Sequence, residues 1–116
     1  MRNFRNLEVW KEAIDLASFV YTLTKKFPKQ EQYGLVSQIN RCSVSIPSNI
    51  AEGCSRSSEK EYSRFLEIAI GSSFEMETQL EISKNLNYLD SETFKSLVER
   101  LNVLQRRINA LRTSIK

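Results

Sequence analysis

Residues 94–115, with the sequence FKSLVERLNVLQRRINALRTSI, decide the fold of this chain. Their apolar side chains recur at alternating steps of three and four residues, the spacing that turns one side of a helix toward a core. The positions concerned are Phe94, Leu97, Leu101, Leu104, Ile108, Leu111 and Ile115. No polar residue interrupts this heptad seam. The segment is therefore predicted to be an amphipathic helix that packs against other helices.

Three earlier segments carry mostly apolar side chains at the same spacing. The first stripe consists of Trp10, Ala13, Ala17, Val20, Thr24 and Phe27. The second consists of Val36, Ile39, Ser43, Ile46 and Ile50. The third consists of Tyr62, Leu66, Ala69, Ser73, Met76, Leu80 and Ser83. With three glycines, two prolines and no Asn-Gly or Asp-Gly pair, the chain offers little from which to build a β-sheet.

Four helices with short connections favour antiparallel packing of neighbours. A chain of 116 residues is also long enough to enclose one hydrophobic core. We therefore expect an all-α fold, an antiparallel up-down-up-down four-helix bundle that forms a single domain over residues 1–116. Helical hairpins, or a three-helix core with a swapped fourth helix, are the alternatives.

The first two helices are predicted to end at a proline and at a glycine. Phe27-Pro28 interrupts the first helix, because a residue before proline avoids the helical region of backbone space. The second helix is expected to stop at Gly53, as a left-handed cap. The segment from Gly53 to Ser57 is then a turn.

The third and fourth helices are predicted from their capping residues. Ser58-Glu59-Lys60-Glu61 is a capping-box pattern, in which serine and glutamate satisfy each other's free amides at the start of the third helix. That helix is expected to end near Asn87. Asp90 or Ser91 then caps the fourth helix.

Composition argues against an enzyme, a metal centre and a membrane protein. Histidine is absent, which removes the usual general base and the commonest transition-metal ligand. Cys42 and Cys54 lie 12 positions apart in one predicted helix, about 18 Å, so they cannot form an intrachain disulfide and are expected to be buried and reduced. Neither a signal peptide nor an apolar run long enough to span a bilayer is evident, so a cytoplasmic protein without cofactor or metal is expected.

Pro47 lies inside the second predicted helix. A proline there removes one backbone donor and costs about 3 kcal/mol unless the surroundings accommodate a kink. Either the kink fits the curvature of the bundle, or it distorts the helix to bind a ligand. Ser45 or Ser48 could donate local hydrogen bonds to the freed carbonyls.

Polar stripes run along the outer sides of the second and third helices. They have three interpretations: solvated faces, a polar subunit interface fixed by ion pairs, or a carboxylate di-metal site. The last normally requires Glu-x-x-His, and the chain has no histidine. The candidate interface residues are Gln38, Arg41, Asn49, Glu52, Arg64, Glu67, Gly71 and Glu75.

The run QINRCSVSIPSNIAEG, residues 38–53, closely resembles the signature of the four helix bundle protein family. Members of that family include proteins encoded by intervening sequences inside bacterial large-subunit ribosomal RNA genes, also filed as a ribosomal protein family. The resemblance spans residues 7–89. Further matching segments are Leu7-Glu8-Val9-Trp10, Phe27-Pro28, Glu31, Tyr33-Gly34-Leu35, Phe65-Leu66-Glu67-Ile68-Ala69 and Gly71-Ser72.

The resemblance implies a four-helix protomer that assembles as a homopentameric ring and has no established enzymatic activity. The chain is also similar to the accessory protein of diversity-generating retroelements, a basic pentameric barrel that binds nucleic acid and a partner reverse transcriptase. This chain departs from that protein in charge, since its net charge is only +3.

Positive charge is concentrated in the fourth helix. The segments 1–27, 28–58, 59–90 and 91–116 carry +2, +1, −4 and +4. In an up-down-up-down bundle, the start of the first helix, the turn after the second and the end of the fourth share one end. We name the cations expected there the basic end: Arg2, Arg5, Arg56, Lys60, Arg106, Arg107, Arg112 and Lys116.

A ring of such protomers would repeat these cations around one face and attract a polyanion through phosphate contacts and counterion release. The leading hypothesis is therefore a non-enzymatic homo-oligomer, a pentamer by the resemblance, that binds structured RNA or another nucleic acid at the basic end. The alternative is a protein-interaction scaffold that docks a nucleic-acid-processing partner. The same cations could also serve only solubility or the helix dipole.

Overall fold

The computed structural model describes residues 2–115 and contains four long α-helices. They are α1 (Glu8–Thr24), α2 (Leu35–Cys54), α3 (Glu59–Asn85) and α4 (Ser91–Thr113). Short 3-10 turns at Phe4–Asn6 and Lys29–Glu31 precede α1 and α2. No strand occurs between residues 2 and 115, so the predicted all-α, four-helix fold is confirmed.

Contacts between helices give their directions. The α2–α3 contacts include Ser45 with Ser72 and Gly53 with Phe65. The α3–α4 contacts include Glu67 with Arg112 and Glu77 with Gln105. The α1–α4 contacts include Glu12 with Arg107 and Phe19 with Arg100. In each pair the residue numbers rise along one helix while they fall along the other, which is the antiparallel order.

One hydrophobic core is shared by all four helices. Every residue of the predicted third stripe is buried, and so are the central four of the fourth stripe. In the first stripe Trp10 is half-buried and all other residues are buried. In the second stripe Val36 is half-buried and all other residues are buried. Burying a leucine or isoleucine side chain contributes about 1.5–3 kcal/mol, so the stripes provide the main stabilisation of the bundle.

Ser58 and Asp90 cap α3 and α4 as predicted, but of the predicted capping box only the serine half is present. The Ser58 hydroxyl accepts a hydrogen bond from the Glu61 amide at 3.1 Å, and Asp90 Oδ1 accepts one from the Thr93 amide at 2.7 Å. Asn87, two residues beyond the last residue of α3, is in the left-handed region, with a φ of 64°. The Tyr88 amide then donates back to the Ser83 carbonyl at 2.9 Å, which satisfies a carbonyl that the helix end would leave free.

The predicted cap at Gly53 is wrong. Gly53 is helical and buried, and α2 continues to Cys54. No glycine between residues 2 and 115 has a positive φ. A Cβ at Gly53 would lie 2.9 Å from Phe65 Cβ and 3.2 Å from Tyr62 Cδ1. Glycine is present because α2 and α3 approach closely there, which the sequence pattern alone does not reveal.

Pro47 is buried inside α2, on the side that faces α1. Ser45 does not provide the local backbone bond that was expected, because its hydroxyl shares a 2.8 Å hydrogen bond with Ser72 of α3. The carbonyl that Pro47 frees is that of Ser43, four residues earlier, and Asn49 bonds elsewhere. Its amide donates to the Ser45 carbonyl at 2.8 Å and to the Ser45 hydroxyl at 2.9 Å.

Candidate nucleic-acid interface

At the basic end the structure brings two predicted cations into direct contact. Arg2 donates from Nη1 to the Arg56 carbonyl at 3.0 Å, and its guanidinium lies 4.2 Å from the centre of the Tyr62 ring. Arg56 lies 4.8 Å from the Phe65 ring and forms an ion pair with Glu52 at 2.8 Å. The two guanidinium groups therefore pack the chain start and the α2–α3 turn onto aromatic rings of α3.

Two arginines of α4 pair with carboxylates on different neighbours. Arg107 forms an ion pair with Glu12 of α1. Arg112 lies 3.7 Å from Glu67 of α3 and also donates to Asn109. Because these arginines point to opposite sides of α4, they do not form one compact cluster. Carboxylates of the same chain partly neutralise their charge, which weakens their attraction for a phosphate.

Three described cations of the basic end are exposed and pair with no carboxylate between residues 2 and 115. They are Arg5, which stacks 4.5 Å from the Phe4 ring, Lys60 at the start of α3, and Arg106 on the outer side of α4. Arg106 precedes Arg112 by six residues, about 9 Å along the helix axis. The three unpaired cations therefore lie on three separate elements: the turn before α1, α3 and α4. Lys116 lies outside the described residues.

The candidate interface residues fall into three groups. Glu52 and Glu67 are engaged by Arg56 and Arg112, and Asn49 is bonded within α2. Gln38, Arg41 and Glu75 line a cleft of about 290 Å³ between α2 and α3. Arg64 and Gly71 are exposed on α3, and a Cβ at Gly71 would meet no atom within 4 Å.

The two cysteines are buried and free. Burial raises the pKa of both thiols, so they stay protonated at neutral pH and are poor nucleophiles. Burial also raises the pKa of Tyr62 to about 12; Cys54 adds to that shift and Arg2 opposes it. Among residues 2–115, no group of three or more potential ligands is placed to hold a metal ion.

Sequence reasoning missed a second basic surface, at the opposite end of the bundle. We name it the loop cleft. It has a volume of about 540 Å³ and lies between the end of α1, the α1–α2 connection and the start of α2. Its lining includes Tyr21, Lys25, Lys29, Tyr33, Asn40 and Arg41, and no acidic residue. The signal was visible in the sequence, because lysines flank Phe27-Pro28 and a tyrosine follows them.

An apolar groove between α1 and α2 was also missed. Its volume is about 590 Å³, and none of its lining residues is charged. The lining includes Phe4, Trp10, Ile14, Val44, Pro47 and Ala51. Uncharged patches of this kind on a protein surface commonly mark interaction sites.

Comparison with known proteins places the chain in a family. A model of the 23S rRNA-intervening sequence protein family matches residues 5–110. The chain belongs to this family. No curated protein matches it. The fold is similar to that of a Bacteroides thetaiotaomicron protein of unknown function from the S23 ribosomal protein family, with a TM-score of 0.82 and 23% identity over 89% of this chain and 96% of that one.

In this member of the 23S rRNA-intervening sequence protein family, the stretch 38–53 joins α2 to both of its neighbours. Pro47 lines the apolar groove against α1, while Ser45 and Gly53 contact α3. No helix in the described part of the chain is both long and apolar enough to cross a membrane.

Proposed function

We propose that this chain is a non-enzymatic, homo-oligomeric bundle that binds nucleic acid, preferentially structured RNA, through backbone phosphates at its basic end. The observation that carries the proposal is that Arg5, Lys60 and Arg106 are exposed there without a carboxylate partner among residues 2–115. Such cations can contact phosphates without first breaking an ion pair. Each contact releases counterions from the nucleic acid, which favours binding at low salt.

The family to which the chain belongs supports RNA as the ligand. The family description links its members to intervening sequences of 23S rRNA. A ring of the kind that the resemblance implies would repeat the three cations in every protomer, so weak contacts would add up to avidity.

A non-enzymatic role is supported by the side chains available. The chain has no histidine, and both cysteines are buried with raised thiol pKa values. The cleft between α2 and α3 contains Cys42 and Glu75, but the buried thiol is a poor nucleophile.

Self-association is supported by unlike apolar surfaces on different faces of the bundle. One is the apolar groove of α1 and α2. The other lies on α3, where Ile68, Phe74 and Ile82 are 40%, 58% and 44% exposed. Head-to-tail contact between unlike surfaces produces closed rings when the rotation between subunits closes.

Phosphate binding is tested with a fluorescent double-stranded RNA and two charge reversals on α4. Arg106→Glu is expected to weaken binding and to reduce the slope of log K against log salt by about 1. Lys95→Glu makes the same charge change at the other end of α4 and is the matched control. No binding at low salt, or equal affinity for Arg106→Glu and Lys95→Glu, would refute the proposal.

Self-association is tested by light scattering. The wild-type mass is expected to be a multiple of the 13.5 kDa protomer mass. Val44→Asp places a charge in the apolar groove and should lower that mass. Val103→Asp is the matched control, because Val103 on α4 is 42% exposed and Val44 is 43% exposed. A monomeric wild type, or identical behaviour of the two variants, would exclude the groove as the subunit interface.

The same groove supports a second function, a scaffold that docks a nucleic-acid-processing protein. A groove that is filled by a neighbouring subunit cannot hold such a partner. A monomeric wild type, together with a partner that remains bound after nuclease treatment and is lost in Val44→Asp, would favour the scaffold.

A further inference from the structure

The loop cleft combines positive charge with an absence of acidic lining. Lys25, Lys29 and Arg41 all line it. None of the three forms an ion pair within residues 2–115, in contrast to Arg56, Arg107 and Arg112 at the basic end. Carboxylates of the chain therefore neutralise less of the positive charge at the loop cleft than at the basic end.

The nearest loop carboxylate, Glu31, is engaged away from the cleft. Tyr88 donates its hydroxyl proton to Glu31 Oε2 at 2.9 Å, and the Leu35 amide donates to Glu31 Oε1 at 3.4 Å. A tyrosine hydroxyl is protonated at neutral pH, and the hydrogen bond to Glu31 raises the pKa of Tyr88 further. Glu31 is not among the residues that line the cleft.

Two tyrosines give the cleft aromatic surface that the chain itself does not cover. Tyr33 is 91% exposed and lines only the loop cleft, whereas Tyr21 is 41% exposed and also lines the adjoining end of the apolar groove. By contrast Phe27, in the same connection, is buried and packs against Tyr88 with ring centres 5.4 Å apart. In the α1–α2 connection, Phe27 is therefore packed into the core, while the Tyr33 ring remains accessible to a ligand.

The floor of the cleft is held in place by polar contacts. Thr24 Oγ1, at the end of α1, donates to Asn40 Oδ1 of α2 at 3.0 Å. With Phe27 buried and Glu31 bonded on both oxygens, the connection is fixed at three points. A fixed cleft binds a ligand with a smaller loss of conformational entropy than a mobile loop does.

We infer that the loop cleft binds single-stranded nucleic acid, with Tyr33 and Tyr21 stacking on bases while Lys25, Lys29 and Arg41 contact the flanking phosphates. A cationic groove with exposed aromatic rings is the arrangement that recognises unpaired bases, because every base has a face on which a ring can stack. Duplex RNA presents no free base faces and would use only the cations. An acidic peptide would contact the cations but has no bases that could stack on the tyrosine rings.

This site is separate from the proposed phosphate contacts at the basic end and does not depend on them. Arg106→Glu should weaken duplex binding and leave single-strand binding unchanged. Tyr33→Ala should do the reverse. The two proposals can therefore fail independently.

The test measures fluorescence anisotropy of labelled single-stranded oligouridylate and oligothymidylate with the full chain. Tyr33→Ala is expected to weaken binding by about five- to hundred-fold, while Tyr33→Phe, which keeps the ring, should stay within about three-fold of wild type. Phe19→Ala, which removes an aromatic ring that is 40% exposed on α1 and lines neither the loop cleft nor the apolar groove, is the matched control and should have no effect. Because Tyr33 is almost fully exposed, circular dichroism should show unchanged helix content.

Binding of either strand that depends on the Tyr33 ring supports the inference. Three results would overturn it: no single-strand binding at low salt, equal affinity of Tyr33→Ala and wild type, or displacement of the oligonucleotide by polyglutamate of equal charge at equal concentration. The last result would mean that the cleft recognises negative charge alone.

Discussion

At the residue scale, a missing methyl group at Gly53 sets how closely α2 approaches α3. The residue is helical, so its backbone would accept any L-amino acid, but Phe65 Cβ occupies the space that a side chain would need. Gly71 on α3 is also helical, and a Cβ there would meet nothing. The two glycines therefore have opposite roles in stability.

We expect Gly53→Ala to destabilise the protein and Gly71→Ala to stabilise it. In Gly53→Ala the backbones would have to separate, at a cost of about 1–3 kcal/mol. In Gly71→Ala the gain is about 0.5–1 kcal/mol, from the smaller entropy of the unfolded chain. Urea unfolding measures both. A Gly53→Ala variant at least as stable as wild type would contradict the close packing described at that position.

The side-chain cap of α4 predicts that the stability of the fold depends on pH through one carboxylate, that of Asp90. Hydrogen bonds from Thr93, chiefly from its backbone amide, lower the pKa of Asp90. A carboxylate whose folded pKa is lowered stabilises the fold above its unfolded pKa of about 3.9 and loses that contribution as pH falls through the folded value.

In Asp90→Asn the cap can still accept the Thr93 amide but does not titrate. The difference in Tm between wild type and Asp90→Asn should therefore be largest near neutral pH and shrink as pH falls below about 4. Thermal unfolding of both proteins over this range measures it. A difference that is independent of pH would show that the Asp90 charge contributes nothing to stability.

At the element scale, α4 packs through a seam whose centre is fully buried. Leu104 is 1% exposed, whereas its neighbour Val103 is 42% exposed. Leu104→Ala should cost about 2–5 kcal/mol through lost burial and an unfilled cavity. Val103→Ala should stay within about 0.5 kcal/mol. Chemical denaturation compares them, and a Leu104→Ala cost equal to that of Val103→Ala would mean that α4 does not pack as described.

The helices could be predicted from the sequence because periodicity and capping are local properties. Ser58 and Asp90 act on amides within three residues, and the stripes repeat within each helix. Gly53 could not be interpreted in this way. A glycine near a helix end resembles a cap, and only the approach of Phe65 from another helix identifies it as a packing residue.

The candidate site could be predicted only in part, because charge compensation depends on which helices are neighbours. The sequence assigned Arg107 and Arg112 to one end, but it did not indicate that Glu12 and Glu67 would pair with them. Nor did grouping residues by helix ends reveal that an exposed Tyr33 would share one cleft with Lys25 and Lys29 of the connection and Arg41 of α2.

At the scale of the whole molecule, the bundle has two ends with different cationic surfaces and one apolar groove between α1 and α2. The basic end keeps Arg5, Lys60 and Arg106 without carboxylate partners among residues 2–115, although Arg56, Arg107 and Arg112 are paired. The central proposal is that these free cations bind the phosphates of structured RNA. Three or more contacts per protomer would make the affinity steeply dependent on salt.

The most direct test is the affinity of the wild-type protein for a double-stranded RNA as a function of salt concentration. Three phosphate contacts predict that log K falls linearly with log salt with a slope of about −3 or steeper. Binding that is absent at low salt, or that does not change with salt concentration, would contradict the proposed function.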